Sequence, residues 1–299
     1  MNDPIIVLAP PRSFSSVVSA MLGQHPQTYG LPELHLFVGD TVRDLFILYK
    51  VAGPRRQDGL LRAIAELFMK TQTPKTVQLA KQWLMTHLDT PTSEVFEKII
   101  ARAAPRRVVE KSVTTVWRPN HLQRLGEKFP NAQFIHLTRH PRAQGDSMIE
   151  VVKNDRAVRK EVLDFSVAPP VVDPQVLWQK IHLNIVDFLA TVPPRRQLRV
   201  RGEDVVLEPD VQLRQIADWL GLRTDAEAIE QMKHPEASPF SKLGPPNAPF
   251  GSDPKFIKEP ALRPGRVQTQ SLDGPLGWRE DGQGFAENVK DLARRFGYE

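Results

Sequence analysis

The first 22 residues constrain the fold most. Residues 5–8 (IIVL) form an apolar run rich in branched side chains, which is too short for a helix and typical of a strand buried on both faces. Pro10 and Pro11 end that strand, and the apolar spacing of residues 17–22 predicts an amphipathic helix. A strand, a loop and a helix in this order predict an α/β fold.

The loop between this strand and helix, PRSFSS at residues 11–16, is a candidate anion site. We expect Ser13, Ser15 and Ser16 to cap the helix, because serine oxygens accept hydrogen bonds from the free N–H groups of a first turn. A helix N-terminus attracts anions, and Arg12 adds a fixed positive charge. The same order also occurs as ordinary α/β architecture without a ligand. The loop lacks the glycines and lysine of an ATP-binding P-loop, which disfavours a magnesium-dependent nucleotidase.

A strand–helix–strand–helix pattern occupies residues 106–152. Apolar runs predict strands beginning at residue 108 and over 133–138, with a helix over 119–129 between them. Such units form parallel strands joined by right-handed crossovers. Arg139 then lies at the carboxyl end of a strand, and Ser147 lies about two helical turns further on, where it can face the same anion. A guanidinium and a hydroxyl suit a phosphate dianion.

These stretches resemble the nucleotide-binding motifs of sulfotransferases that use 3′-phosphoadenosine-5′-phosphosulfate (PAPS). PRSFSS is similar to the family's 5′-phosphosulfate loop, P-[KR]-[ST]-G-[ST]-[ST], with Phe14 at the glycine position. FIHLTRHPRAQGDS is similar to its 3′-phosphate clamp. QLRVRGEDVV, residues 197–206, resembles its late strand and acidic dipeptide, with Gly202 where an aromatic residue is common. The resemblance implies a three-layer α/β fold with a central parallel sheet and a P-loop-like strand-loop-helix.

The resemblance also implies an activity, which is metal-independent transfer of a sulfuryl group from PAPS to a hydroxyl or amine, with PAP as the released nucleotide. The residues expected to bind the nucleotide are Arg12, Ser13, Phe14, Ser15, Ser16, Arg139, Ser147, Arg263 and Arg266. Arg12 is also expected to be catalytic, because negative charge grows on the leaving 5′-phosphate. A phosphotransferase of the P-loop kinase type and a catalytically inactive nucleotide-binding protein remain the alternatives.

Glu33 is the first candidate for the general base and His35 the second, with His140 and Lys111 next in line. In the family that the chain resembles, the stretch after the first helix often supplies this base. For either residue, an ordinary place in a loop is equally compatible with the sequence. We expect partial burial to raise the pKa of Glu33. We also expect Glu33 and His35 to point to opposite faces if the segment is extended, and to different sides of a turn otherwise.

A single sulfotransferase-like domain over residues 1–299 is expected. Apolar residues at helical spacing between about 40 and 104 predict a helical insertion that shapes the acceptor pocket. Residues 235–284 hold nine of the 27 prolines together with aromatic anchors, which predicts an ordered loop across the active site rather than a linker. We expect residues 25–37 to be a turn-rich return to the sheet edge and residues 153–173 to be irregular.

Composition and net charge limit the compartment and the classes of ligand that we expect for this protein. The absence of cysteine excludes disulfides and thiolate metal sites and fits a reducing cytoplasm, where we place the protein. We find no apolar stretch of the length of a signal or membrane span and no metal-ligand constellation. The net charge of +5 favours anionic ligands, but the arginines are scattered and nucleic acid is not an expected partner. A small-molecule or lipid-like acceptor is expected, and homo-oligomerisation is left open.

Overall fold

The computed structural model describes residues 3–263, 267 and 270–299. The strands are β1 (Ile5–Leu8), β2 (Thr28–Gly30), β3 (Arg107–Glu110), β4 (Gln133–Thr138), β5 (Leu163–Asp164), β6 (Val171–Val172) and β7 (Gln197–Arg201). The helices are α1 (Ser15–Gly23), α2 (Val42–Ala52), α3 (Asp58–Met69), α4 (Pro74–Met85), α5 (Thr92–Ala103), α6 (Pro119–Lys128), α7 (Pro141–Asn154), α8 (Arg156–Glu161), α9 (Pro174–Leu189), α10 (Gly202–Leu207), α11 (Pro209–Trp219), α12 (Ala226–Met232), α13 (Pro254–Lys258) and α14 (Glu287–Arg295).

Five strands form one parallel sheet in the order β2-β3-β1-β4-β7, and helices flank it. The short strands β5 and β6 pair separately and antiparallel. The predicted α/β fold with a central parallel sheet is confirmed. Within the described residues, no helix has the length and apolar character needed to cross a bilayer.

Burial on both faces explains why the sequence of the central strand β1 is apolar throughout. Ile6 and Leu8 belong to a large core cluster that includes residues of α3, α5 and α9. Ile5 and Val7 belong to a second cluster, with residues of α1, α11 and α12. Because successive side chains of a strand point to opposite faces, both faces of the sheet are covered and each residue of β1 is buried.

The carboxyl ends of the strands bring the candidate residues to one edge of the sheet. Arg12 follows β1, Glu33 follows β2, Lys111 directly follows β3 and Arg139 directly follows β4. Gly202 directly follows β7. Since parallel strands all end on the same side, this edge is where an open α/β sheet binds its ligands.

Residues 25–37 return to the sheet edge as expected, and three of them form the edge strand β2. Gly30 of β2 packs against Gly23 of α1 so closely that a Cβ on Gly23 would lie 2.3 Å from the Gly30 Cα. The expectation that residues 153–173 are irregular is wrong. Residues 153–173 contain the end of α7, the helix α8 and the β5–β6 pair. Between β2 and β3, the chain forms α2 to α5.

Candidate active site

The loop after β1 departs from the predicted capping. Arg12 and Phe14 adopt left-handed backbone conformations, with φ of 67° and 59°. Phe14 is the N-cap residue of α1 and makes no capping hydrogen bond with its side chain, so the predicted serine caps are wrong. Ser15 and Ser16 already lie within the first turn. Because the first N–H groups of a helix have no acceptor inside it, they stay available to a ligand.

The loop and the predicted phosphate clamp touch each other. Arg12 Nε donates a hydrogen bond to Ser147 Oγ at 2.9 Å, across 135 residues of sequence. Arg139 Nη1 donates to the carbonyl of Arg12 at 2.5 Å. The Arg12 guanidinium also forms an ion pair with Asp253. Two sites predicted from separate motifs are thus one hydrogen-bonded unit.

A cavity of about 560 Å³, which we call the loop cavity, lies in front of this unit. The predicted residues in its wall are Arg12, Ser13, Phe14, Ser15, Ser16, Arg139, Ser147 and Arg263. Arg263 forms an ion pair with Glu259 at 2.7 Å. Arg266 lies outside the described residues. Lys255 and Lys258 also line the cavity, and the sequence analysis did not predict them. Both belong to the short helix α13, which was not predicted because the surrounding segment is rich in proline.

A second cavity of about 510 Å³ contains both base candidates, and we call it the Glu33 cavity. It shares four wall residues with the loop cavity: Arg12, Ser15, Ser16 and Asp253. The two cavities are therefore adjacent, and the start of α1 stands between them.

Glu33 and His35 converge rather than diverge. His35 Nε2 lies 3.4 Å from Glu33 Oε2, and His35 adopts a left-handed conformation (φ 52°). The expectation of opposite faces is wrong, because side chains two residues apart in an extended segment point to the same face. Lys111 donates to Glu33 Oε1 and, at 3.1 Å, to Ser16 Oγ. The base candidates are thus connected to the loop through one buried ammonium group.

Electrostatics assign different roles to the two candidates. Burial acts to raise the pKa of Glu33, but Lys111 and His35 outweigh it, and the pKa lies below its ordinary value. The predicted upward shift is wrong in direction. Burial lowers the pKa of His35 to about 4, so the ring is neutral at pH 7. If its Nε2 donates to Glu33, its Nδ1 accepts from the Thr114 hydroxyl 2.8 Å away.

Sequence reasoning also missed Glu110, the last residue of β3. Its side chain is buried, Oε1 accepts a hydrogen bond from Ser112, and Oε2 has no partner among the described residues. Burial raises the pKa of Glu110 to about 7, and the nearby charge of Glu33 acts in the same direction. The sequence signal for Glu110 was the charged pair Glu110-Lys111, which directly follows the apolar residues Val108 and Val109. His140, a lower-ranked candidate for the base, caps α7: its Nδ1 accepts a hydrogen bond from the backbone N–H of Arg142 at 3.2 Å.

Comparison with known proteins agrees with this geometry. A profile described as the sulfotransferase family matches residues 4–226, which is more than half of the chain. Similar solved structures include the sulfotransferase domain from the curacin biosynthetic pathway, 25% identical over 100% of this chain and 99% of that chain (TM-score 0.74). The sulfotransferase domain from the Synechococcus PCC 7002 olefin synthase is also 25% identical, over 100% of this chain and 97% of that chain (TM-score 0.75).

A more distant structure, a sulfotransferase of Mycobacterium avium, shares the fold at 15% identity over 100% of this chain and 78% of that chain (TM-score 0.54). No curated protein sequence matches the chain. The profile match and the two structures with complete coverage lead to the same assignment, and the chain belongs to the sulfotransferase family.

Proposed function

We propose that this protein transfers a sulfuryl group from PAPS to a hydroxyl or amine of a small-molecule or lipid-like acceptor. One observation carries the proposal: the Glu33 carboxylate and the anion-binding loop occupy adjacent cavities with a common wall. A nucleotide held in the loop cavity and an acceptor held in the Glu33 cavity would meet at Arg12, Ser15 and Ser16.

The loop cavity has polar groups that suit a nucleotide phosphate. Ser13 Oγ and Arg139 Nε are buried with no partner among the described residues, and a buried polar group without a partner is costly. The first N–H groups of α1 add further donors. Arg139, Ser147, Arg263 and the α13 lysines would hold the nucleotide. Bound PAPS supplies an activated sulfuryl group with a phosphate leaving group, and Arg12 stabilises the charge that grows there.

Glu33 is the proposed base. Its side chain is 13% exposed, so the carboxylate can reach an acceptor in the cavity. A carboxylate with a lowered pKa remains ionised at neutral pH. It still accepts the proton, because an acceptor hydroxyl becomes strongly acidic as its oxygen bonds to sulfur. His35 and Lys111 orient Glu33, and Lys111 also places positive charge beside the loop.

The walls of the Glu33 cavity support an apolar acceptor. Its apolar lining residues are Pro11, Pro54, Val113, Trp117, Val151, Val158, Phe250 and Pro254. Such a lining buries hydrocarbon rather than sugar hydroxyls. The name of one similar domain, from an olefin synthase, supports the same class of acceptor, because an olefin is a hydrocarbon.

The test begins with binding. PAP and PAPS should raise the unfolding temperature without added metal, by mass action on the folded state. Arg139→Ala should weaken PAP binding about 10- to 100-fold, as expected for a lost hydrogen bond to a charged group. Arg12→Ala should lower turnover more than PAP affinity, because it meets charge that grows in the transition state. Arg43→Ala, in an exposed ion pair with Asp89, is the matched control and should change neither.

Each alternative gives a distinct result. Stabilisation only by ATP with magnesium would favour a phosphotransferase. PAP binding with no sulfuryl transfer across a broad panel of hydroxyl and amine acceptors would favour an inactive nucleotide-binding protein. Equal effects of both arginine variants on PAP binding would show that the leaving-group contact is misassigned.

A further inference from the structure

Phe14 occupies a conformation that is costly for a bulky residue. Its φ of 59° and ψ of 6° lie in the left-handed region, where a side chain with a Cβ is disfavoured and glycine is not. Such strain persists only where the surroundings compensate for it, and it is concentrated at functional sites. We therefore expect the Phe14 ring to make contacts that compensate for this strain.

The ring lies against Arg139. The central carbon of the Arg139 guanidinium is 4.3 Å from the Phe14 ring centroid, within the range of a cation–π contact. Arg139 has few other contacts that fix its direction: Nη1 donates to the Arg12 carbonyl, and Nε has no partner among the described residues. Phe14 also lines a smaller cavity of about 340 Å³ with Arg139 and Ser147, so the ring and the Arg139 side chain share the wall of both cavities.

Gly202 provides the space for this ring. A Cβ on Gly202 would lie 2.8 Å from Phe14 Cδ2 and 3.2 Å from Phe14 Cβ, with the Ser13 carbonyl oxygen at 3.3 Å. The first distance is shorter than any that real Cβ atoms show, so the ring would have to move. Any side chain at residue 202 therefore displaces Phe14 from the Arg139 guanidinium.

We propose that Phe14 and Gly202 are a coupled pair that positions the Arg139 guanidinium for a phosphate group of the nucleotide. Phe14 is a positioning residue in this pair, and Gly202 leaves the volume that it needs. The identity of the ligand rests on the proposed function, whereas the coupling between residues 14 and 202 does not. The pair also accounts for two departures from the motifs that the sequence resembles, an aromatic residue in place of glycine at 14 and a glycine in place of an aromatic residue at 202.

Affinity tests the positioning role. Phe14→Leu keeps a Cβ, the left-handed conformation and an apolar side chain, but removes the π face. It should weaken PAP binding and raise the KM for PAPS about three- to thirtyfold, the range expected for a cation–π contact, with kcat at saturating PAPS and the unfolding temperature near wild type. Phe14→Tyr should restore wild-type affinity. Wild-type PAP affinity in Phe14→Leu, or a loss that Phe14→Tyr shares, would overturn the positioning role.

A double-mutant cycle tests the coupling independently of the ligand. Gly202→Ala should lower the unfolding temperature when Phe14 is present. In the Phe14→Gly background the ring is gone and only the Ser13 carbonyl oxygen remains close to a Cβ at residue 202, so the same change should lower the unfolding temperature much less. Equal destabilisation in both backgrounds would overturn the coupling. Failure of the wild type to bind PAP would instead contradict the proposed function and leave the outcome of this cycle unaffected.

Discussion

Two buried polar clusters of this protein differ in how completely their atoms are satisfied. The Asp173 cluster consists of Asp173, Gln175, Trp278 and Arg279. Each carboxylate oxygen of Asp173 accepts two hydrogen bonds, and the residue has no exposed surface. The Glu33 cluster consists of Glu33, His35, Glu110 and Lys111. In it, Glu33 opens to a cavity and Glu110 Oε2 has no partner among the described residues.

The difference indicates a structural role for the Asp173 cluster and agrees with the chemical role proposed for Glu33. In the Asp173 cluster, all charge is compensated by groups of the protein, so the cluster fixes the C-terminal segment against α9. In the Glu33 cluster, two carboxyl groups lie near one ammonium group, and their pKa values are displaced in opposite directions. Such an arrangement is poor for stability and typical of functional sites.

The largest expected effect concerns Glu33. Glu33→Gln keeps the shape and removes the proton acceptor, so the rate of sulfuryl transfer should fall about 10²- to 10⁴-fold, as for loss of a general base. PAP affinity should remain near wild type, because Glu33 does not line the loop cavity. Initial rates with PAPS and calorimetry with PAP measure the two quantities.

His35→Ala is the matched control for Glu33→Gln. It removes a neighbour of the carboxylate and should reduce the rate less than Glu33→Gln does. Retained activity in Glu33→Gln with loss in His35→Ala would make the histidine the base. If both variants stay active, the base comes from another segment, with His140 and Lys111 as the next candidates.

The Asp173 cluster should respond in stability instead. Asp173→Ala removes a fully buried carboxylate that accepts hydrogen bonds from Arg279, Trp278 and Gln175. Because Arg279 keeps its ion pairs with Asp281 and Asp164, the free energy of unfolding should fall by about 1–3 kcal/mol, the cost of leaving buried donors without an acceptor. Urea unfolding measures this loss, and PAP affinity of the folded variant should be unchanged. Asp89→Ala breaks the exposed pair with Arg43 and should have no measurable effect. Similar losses in the two variants would contradict the structural role of Asp173.

Local sequence patterns predict the sheet well and the site only in part. The strands β1 and β4 are predicted at their observed boundaries, because a buried parallel strand requires a continuous apolar run whatever surrounds it. The capping of α1 was not predictable from residue preference, because the left-handed conformation of Phe14 is compensated by Arg139 and Gly202, which lie far away in sequence.

The same limit explains the error in the predicted pKa shift of Glu33. Position in sequence indicated a carboxylate near the loop, but the direction of its pKa shift depends on Lys111, 78 residues away. Motifs therefore indicate which residues are candidates for the site, whereas the direction of each pKa shift requires the tertiary structure.

A third cluster, formed by His136 and His182, is buried like the Asp173 cluster, but not all of its polar atoms have a hydrogen-bond partner among the described residues. His136 Nε2 lies 2.9 Å from His182 Nδ1, and the other nitrogen of each ring has no partner among the described residues. Burial lowers the pKa of His136 to about 3 and that of His182 well below its ordinary value, and the charge of Arg199 adds to both shifts. Both rings are therefore neutral in the folded protein at pH 7.

The consequence is a loss of stability in acid. Unfolding lets these histidines take up protons below pH 6.5, so the stability present above pH 6.5 falls as pH decreases toward 3, by up to about 1.4 kcal/mol per pH unit for each histidine. The double variant His136→Phe, His182→Phe should flatten this acid limb in urea unfolding between pH 6.5 and 4.5. His234→Ala should not, because Glu236 raises the pKa of that exposed imidazole. An unchanged limb in the double variant would assign acid sensitivity to other groups.

The smallest expected effect concerns the ionisation of Glu110, the second carboxyl group of the Glu33 cluster. With its pKa raised to about 7 by burial, the carboxyl group is neutral at pH 6 and ionised at pH 8. The added negative charge raises the proton affinity of the neighbouring Glu33 carboxylate, so the transfer rate should rise a few-fold across this interval. Stability should move the other way, because a carboxyl with a raised pKa contributes stability below pH 4.5 that is lost as pH rises toward 7.

Glu110→Gln separates these effects, because the amide oxygen can still accept the hydrogen bond from Ser112 but cannot ionise. We expect the variant to keep most of its activity at pH 6 and to lose the rise in kcat near pH 7, while its stability no longer falls between pH 4.5 and 7. The exposed Glu127→Gln should leave both profiles intact. If Glu110→Gln retains the rise near pH 7, the titrating group belongs to the Glu33–Lys111 pair itself, and Glu110 is then a closed, structural carboxyl like Asp173.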